Sequence, residues 1–247
     1  MANWFDRDGK GYARFRPEYP PELAEWLAQI APSTRQAVDV GCGSGQLTAR
    51  LARHFDAVIG LDPSDDQIEN ATSHRRIGYI CASAEALPVA DHSTDLITAA
   101  QAAHWFDRPA FYAEVRRIAV PNAAIALISY GVLQIDDTAL MDRFMRFYRD
   151  DLGPFWPSQR KLVDGGYAGI DFPFAEIPKP DLSIRLTWQL QDFMGYLSTW
   201  SAIRRAIAAD QQSVLDGFAA EFSAIWGDPE QARRIMWPIN MRVGHVV

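Results

Sequence analysis

The residues of this 247-residue chain best suited to chemistry cluster in a few short stretches. Asp39-Val40-Gly41-Cys42-Gly43-Ser44-Gly45 sets three glycines at alternate positions, two residues after an acid. Glycine lets a backbone turn sharply and approach a ligand that any Cβ would obstruct, so the stretch reads as a cofactor-binding turn. Asp62 ends an apolar run about 20 residues beyond Gly41, where nucleotide-binding α/β folds use a carboxylate to accept both ribose hydroxyl protons. Gln101-Ala102-Ala103-His104-Trp105-Phe106-Asp107 carries a histidine, the side chain suited to proton transfer near neutral pH. Tyr12-Ala13-Arg14-Phe15-Arg16-Pro17-Glu18-Tyr19-Pro20 alternates aromatics with cations, and its prolines disfavour helix.

These residues need elements to hold them. Ala37 to Val40 is the short apolar run of a strand buried on both faces. Leu47, Leu51 and Phe55 then recur every four residues, which predicts a helix from about Gln46 that aims its unpaired N–H groups at the turn. Leu23, Trp26, Leu27 and Ile30 predict a helix starting near Pro21. Further strands are expected over Ala57–Asp62, Ile77–Ala82, Thr94–Ala100 and Ala124–Tyr130, with a helix from about Pro109 that buries Phe111, Val115 and Ile118. Strands alternating with helices imply a parallel, doubly wound α/β sheet. Ligands bind beyond the carboxyl ends of such strands, so Gln101 to Asp107 should line the site. From 131 to 176 the pattern loosens into a helix around Leu140, Phe144 and Phe147 and an aromatic-rich insertion, expected to form a lid or pocket wall. Leu182 to Leu190 alternates as a half-buried antiparallel strand, Phe193 to Trp200 and Val214 to Ile225 read as helices, and Ile235 to Val247 as a last strand interrupted by Pro238.

Composition narrows the function. The formal charge of −7 has no offsetting basic run, which disfavours nucleic acid as a partner. No apolar run reaches the roughly 20 residues that span a bilayer, and the charged first ten positions lack the apolar core of a signal peptide. No membrane partner is therefore expected, and the location is expected to be cytoplasmic. Cys42 and Cys81 are expected to be buried thiols in a reducing compartment. The five histidines show no metal-ligand spacing, so no metal is expected.

An acid two residues before G-x-G-x-G resembles the first motif of the class I S-adenosylmethionine (SAM) methyltransferases. In the dinucleotide fingerprint the third glycine stands one place later, at the position of Gln46. Ser83-Ala84-Glu85-Ala86-Leu87-Pro88 is similar to the segment that lies along the adenine in that family, with Ser83 where many relatives carry an acid. Y-x-x-x-R-P-x-Y-P over 12–20, His104-Trp105-Phe106 and Tyr196-Leu197-Ser198-Thr199-Trp200-Ser201 resemble the trans-aconitate methyltransferase-like branch. The resemblance implies one Rossmann-like domain over 1–247, with a mostly parallel seven-stranded sheet, an antiparallel last strand and an N-terminal arm over about 1–35. It implies SAM as cofactor, held by Asp39, Gly41, Gly43, Gly45, Asp62, Ser83, Ala84, Glu85 and Gln101, and a small-molecule acceptor bordered by Tyr12, Arg16 and Trp105. His104 is the catalytic candidate. A carboxylic acid acceptor arrives ionised and needs no base, whereas a hydroxyl or amine acceptor would need His104 as one. Two alternatives stay open on the residues alone: an NAD(P)-dependent oxidoreductase and a non-catalytic SAM-binding protein.

Overall fold

Residues 15–246 are described by the computed structural model, so Tyr12 lies outside the described residues. In chain order the elements are α1 (Pro21–Ile30), β1 (Gln36–Val40), α2 (Gln46–Leu51), β2 (Ala57–Asp62), α3 (Asp65–Glu69), β3 (Ile77–Cys81), β4 (Thr94–Ala100), α4 (Arg108–Ile118) and β5 (Ala119–Tyr130). They continue as β6 (Gln134–Ile135), α5 (Thr138–Arg146), α6 (Arg160–Asp164), β7 (Ala175–Glu176), β8 (Ser183–Trp188), α7 (Leu190–Ser198), α8 (Ser201–Ala208), α9 (Gln212–Trp226) and β9 (Arg233–His245).

The chain folds as two compact units. Of the described residues, one contains Glu18–Gly131, Lys161–Ile184 and the segment from Pro238, the other Val132–Arg160 and Arg185–Trp237 together with Phe15 to Pro17. The first, here the sheet unit, has strand order β3-β2-β1-β4-β5-β9. β1 pairs in parallel with β2 and β4, β2 with β3, and β4 with β5, while β9 runs antiparallel to β5 from Ile239 to His245. The short β7 adds to β9 through Ala175 and Glu176. Val38, Ile97, Ile125 and Leu127 are fully buried beneath Phe111, Val115 and Ile118 of α4, as the spacing of those residues requires. Each such side chain contributes about 1.5–3 kcal/mol of transfer free energy.

The sheet unit corrects two expectations. Cys42 is buried but Cys81 is exposed, because β3 is the end strand of the sheet and half of its surface faces solvent. Pro238 does not interrupt the last strand; β9 is continuous through it, and pairing with β5 begins one residue later.

In the second unit, β6 pairs with the first residues of β9, through Gln134 with Met236 and Ile135 with Ile235. Its helices pack ring on ring: Phe147 stacks on Phe218 at 3.7 Å, Phe193 on Phe222 at 4.7 Å, and Trp226 and Trp237 are fully buried. Phe144 and Phe147, on the helix expected to open the insertion, are fully buried, and Tyr148 beside them is buried too. Helix α5 is amphipathic, and its apolar face carries Leu140 and Phe144 inward. Arg143 lies over the Phe218 ring and pairs with Glu221 at 2.6 Å and Asp151 at 3.2 Å. Helix α8, absent from the sequence expectation, buries Ala202, Ile203 and Ala206.

Candidate active site

The site of interest is built at the carboxyl ends of β1, β2 and β4. Gly41, Gly43 and Gly45 all adopt the left-handed conformation, with φ of +69°, +54° and +85°, which costs a residue bearing a Cβ roughly 1–2 kcal/mol. Their surroundings differ. A Cβ on Gly41 would lie 2.4 Å from the Ala102 Cβ, and one on Gly45 would lie 2.1 Å from the Tyr79 hydroxyl. Among the described residues, a Cβ on Gly43 would meet nothing nearer than Gln67 Oε1 at 3.6 Å. The outer two glycines thus allow the protein to pack on itself, and Gly43 leaves its side open.

The turn is fastened to β2. The N–H groups of Gly41 and Cys42 both donate to the Leu61 carbonyl, at 2.7 and 2.9 Å. Asp62 Oδ2 accepts from the Gly43 N–H at 2.9 Å and its Oδ1 from the Ser64 N–H at 3.0 Å. Each oxygen of a carboxylate has a second lone pair, so Asp62 retains acceptor capacity for hydroxyl groups. The Tyr79 hydroxyl donates to the Thr72 carbonyl at 3.0 Å, while the Thr72 N–H donates to the Ser44 carbonyl. Nothing in the periodicity of β3 singled out Tyr79, yet its ring fills the space left by Gly45 and Gly60.

Asp39 is 1% exposed. Thr48 Oγ1 of α2 donates to its Oδ2 at 2.6 Å and Thr98 Oγ1 of β4 to its Oδ1 at 2.7 Å. The carboxylate thereby ties the end of β1 to both neighbours. Burial pushes its pKa up to about 6, against the two threonine hydrogen bonds, which favour the ionised form. Burial likewise raises the Cys42 thiol far above its usual range, so Cys42 is inert packing.

Ser83 is exposed, Ala84 buried and Glu85 half-buried. Glu85 Oε1 accepts from the N–H of Asp107, the N-cap of α4, at 3.0 Å, so this carboxylate positions α4. The other end of α4 holds the same loop. Arg117 donates to the carbonyls of Leu87 and Val89 and to Asp91 and Glu114, and Glu114 accepts from the Leu87 N–H at 2.7 Å. The Arg117 pairing draws the Glu114 carboxyl below its ordinary range. Sequence reading missed this clamp because it joins residues far apart in the chain.

Gln101 has φ of +56°, a strained value for a residue with a Cβ. Its N–H donates to the Ile128 carbonyl and its side-chain Nε2 to the Tyr130 carbonyl, so β5 holds it in place. Strained backbone of this kind collects at functional sites. The chain then enters a short 3-10 turn over Ala103–Trp105. Trp105 is 56% exposed, its ring 4.9 Å from that of His104, and His104 Nδ1 lies 2.9 Å from the Tyr167 hydroxyl. Gly41, Asp62, Gln101 and His104 all belong to the sheet unit, whereas Arg16 belongs to the other. There Arg16 Nη2 donates to the carbonyl of Thr199, the C-cap of α7, at 3.5 Å, and the Phe15 ring occupies the space that a Cβ on Gly195 would need.

The methyltransferase domain family (Methyltransf_11) matches residues 38–127, from β1 into β5. A methyltransferase-family protein of Dictyostelium discoideum is 36% identical over 214 residues, 85% of this chain and 81% of that protein. The chain belongs to the class I SAM-dependent methyltransferases. A solved structure from Anaeromyxobacter dehalogenans, described as a type II methyltransferase, is 40% identical with a TM-score of 0.87, covering 94% of this chain and 98% of that one. The malonyl-[acyl-carrier protein] O-methyltransferase of Methylococcus capsulatus is 28% identical over 128 residues, 49% of this chain and 46% of that protein. In this methyltransferase the family match covers the glycine turn, Asp62, the loop from Ser83 and the strained Gln101. It ends before Tyr167, the partner of His104.

Proposed function

We propose that the chain transfers the methyl group of SAM to a small carboxylic acid, as a member of the trans-aconitate methyltransferase-like branch. The observation that carries the cofactor assignment is the turn itself: a left-handed Gly43 with an open side, its N–H fixed by a carboxylate with acceptor capacity to spare. Such a cradle fits the amino-acid and ribose end of SAM. Asp62 would take the ribose hydroxyls and Gly43 the close approach, with Gly41 and Gly45 holding the turn's shape. Asp39 acts behind the turn, on Thr48 and Thr98. Ser83 and Ala84 would border the adenine, on a loop kept in register by Glu85 and Arg117.

When bound, SAM supplies a sulfonium methyl, whose transfer to a carboxylate oxygen forms an O–C bond, returns the C–S electron pair to sulfur and releases no proton. The chain's task is then to orient the acceptor and exclude water, for which good alignment is worth about 7–11 kcal/mol. His104 and Trp105 are proposed to border the acceptor. The resemblance of 12–20, 104–106 and 196–201 supports an acid as acceptor, as does a relative named for O-methylation of a malonyl group. A cytoplasmic location agrees with the free thiols of both cysteines.

Turnover of radiolabelled SAM across a panel of small mono- and diacids, phenols and amines tests this reading. Labelled methyl ester from a small acid is the expected result. Labelling of phenols or amines alone would overturn the carboxylate assignment.

A further inference from the structure

Tyr167 is fully buried, and it sits at φ of +63° directly after Gly166 at φ of +62°. The two form a tight turn after α6, in which the Gly166 N–H donates to the Val163 carbonyl at 2.9 Å and the Tyr167 N–H to the Leu162 carbonyl at 2.8 Å. The turn is packed from one side: a Cβ on Gly166 would lie 2.9 Å from the Asn240 side chain of β9. A left-handed backbone is rare for a bulky aromatic residue and persists only where the surroundings impose it. Its result here is a phenol oxygen 2.9 Å from His104 Nδ1. His104 itself lies in the 3-10 turn that starts two residues after the left-handed Gln101.

We infer that Tyr167 is a positioning residue that donates its phenol proton to His104 Nδ1, holding the imidazole in the Nε2–H form as a hydrogen-bond donor to the acceptor's oxygen. The direction follows from acidity. A phenol O–H is a stronger acid than an imidazole N–H, and an imidazole nitrogen is a stronger acceptor than a phenol oxygen. The pairing O–H to N is therefore favoured over N–H to O. With Nδ1 accepting, the ring's own proton resides on Nε2, and neither nitrogen of the neutral ring is left to abstract a proton. Such a histidine suits an acceptor that arrives ionised. The carboxylate proposed above has no proton to remove, and an Nε2–H bond to one of its oxygens would leave the other to attack. The inference rests on the reading that the methyl acceptor sits at His104, and it deepens that reading by assigning the site to ionised oxygen acceptors rather than to hydroxyls or amines.

The test begins with the tautomer. In uniformly 15N-labelled protein, at a pH where the ring is neutral, long-range 1H–15N correlations of His104, assigned by their loss in His104→Gln, are expected to show an unprotonated Nδ1 and a protonated Nε2. In Tyr167→Phe the Nδ1 resonance is expected to move, reporting the lost donor, with the melting temperature within a few degrees of the unaltered protein. A protonated Nδ1 in the unaltered protein overturns the inference, as does an unmoved resonance in the phenylalanine variant. Kinetics add a second arm. Glutamine retains an N–H donor but cannot act as a base, so His104→Gln is expected to lower turnover of the carboxylate acceptor at least tenfold less than His104→Ala does; equal losses in the two variants contradict a donor role. The spectra are read without SAM or acceptor, so failure to bind SAM would sink the methyl-transfer reading and leave the tautomer result standing, and the reverse also holds.

Discussion

Asp39 shows how one residue can carry both the fold and the site. It is buried between Thr48 and Thr98, and its carboxyl titrates near 6 in the folded protein against about 4 in an unfolded chain. Between those values the native state keeps a proton that the unfolded state has lost, so this group's contribution to stability falls as pH rises from about 4 to 6 and is level above that. Asp39→Asn removes the titration. Urea unfolding of both proteins across that window is expected to show the unaltered protein losing up to roughly 3 kcal/mol relative to the variant, whereas a constant difference would contradict the raised value. At this scale the sequence revealed which residue types mattered but not how they are used. The acid before the glycines reads as a cofactor ligand, yet both its oxygens serve threonines whose proximity depends on strand pairing. The Tyr167 partner of His104 is equally invisible in one dimension, because a positive φ at a tyrosine has no sequence signal.

Among the elements, α4 is the one whose role exceeds its packing. Its apolar face was legible from the spacing of Phe111, Val115 and Ile118, and all three are buried. Its polar work was not: the Asp107 N–H donates to Glu85 at one end, while Glu114 and Arg117 grip the backbone of Leu87 and Val89 near the other. Arg117→Ala is expected to cost on the order of 1 kcal/mol of stability once solvent screening is allowed for. It should also weaken SAM binding several-fold by freeing the loop from Ser83. Calorimetric titration alongside thermal unfolding checks both, and unaltered affinity would show that the clamp serves the fold alone. β1, β2 and β4 were legible almost to the residue, since strands buried on both faces leave continuous apolar runs. β3, an end strand, misled the reading at Cys81.

Across the whole molecule, the parallel, doubly wound sheet could be read in advance, because alternating strands and helices permit few other arrangements. The division into two units could not. Val132–Arg160 and Arg185–Trp237 form one unit although Lys161–Ile184 separates them in the sequence, and Phe147 of the insertion stacks there on Phe218. Phe193→Ala there is expected to cost about 3–5 kcal/mol of stability. The protein that remains folded should keep its SAM affinity, since the proposed cofactor residues belong to the sheet unit. A large loss of affinity at a temperature where the variant is folded would show the two units to be energetically linked.

The central claim is that the open glycine turn holds SAM, and isothermal titration of SAM into the unaltered protein and into Gly43→Ala tests it most directly. Among the described residues, alanine at φ of +54° meets no atom beyond its chain neighbours closer than 3.6 Å, so stability should fall by only about 1–2 kcal/mol for the left-handed backbone. The new methyl would occupy the cofactor's approach. The expected result is SAM binding by the unaltered protein, no binding of NAD, and at least a tenfold loss of SAM affinity in a variant that still folds. SAM binding of equal strength by a folded Gly43→Ala, or NAD in place of SAM in the unaltered protein, would contradict it.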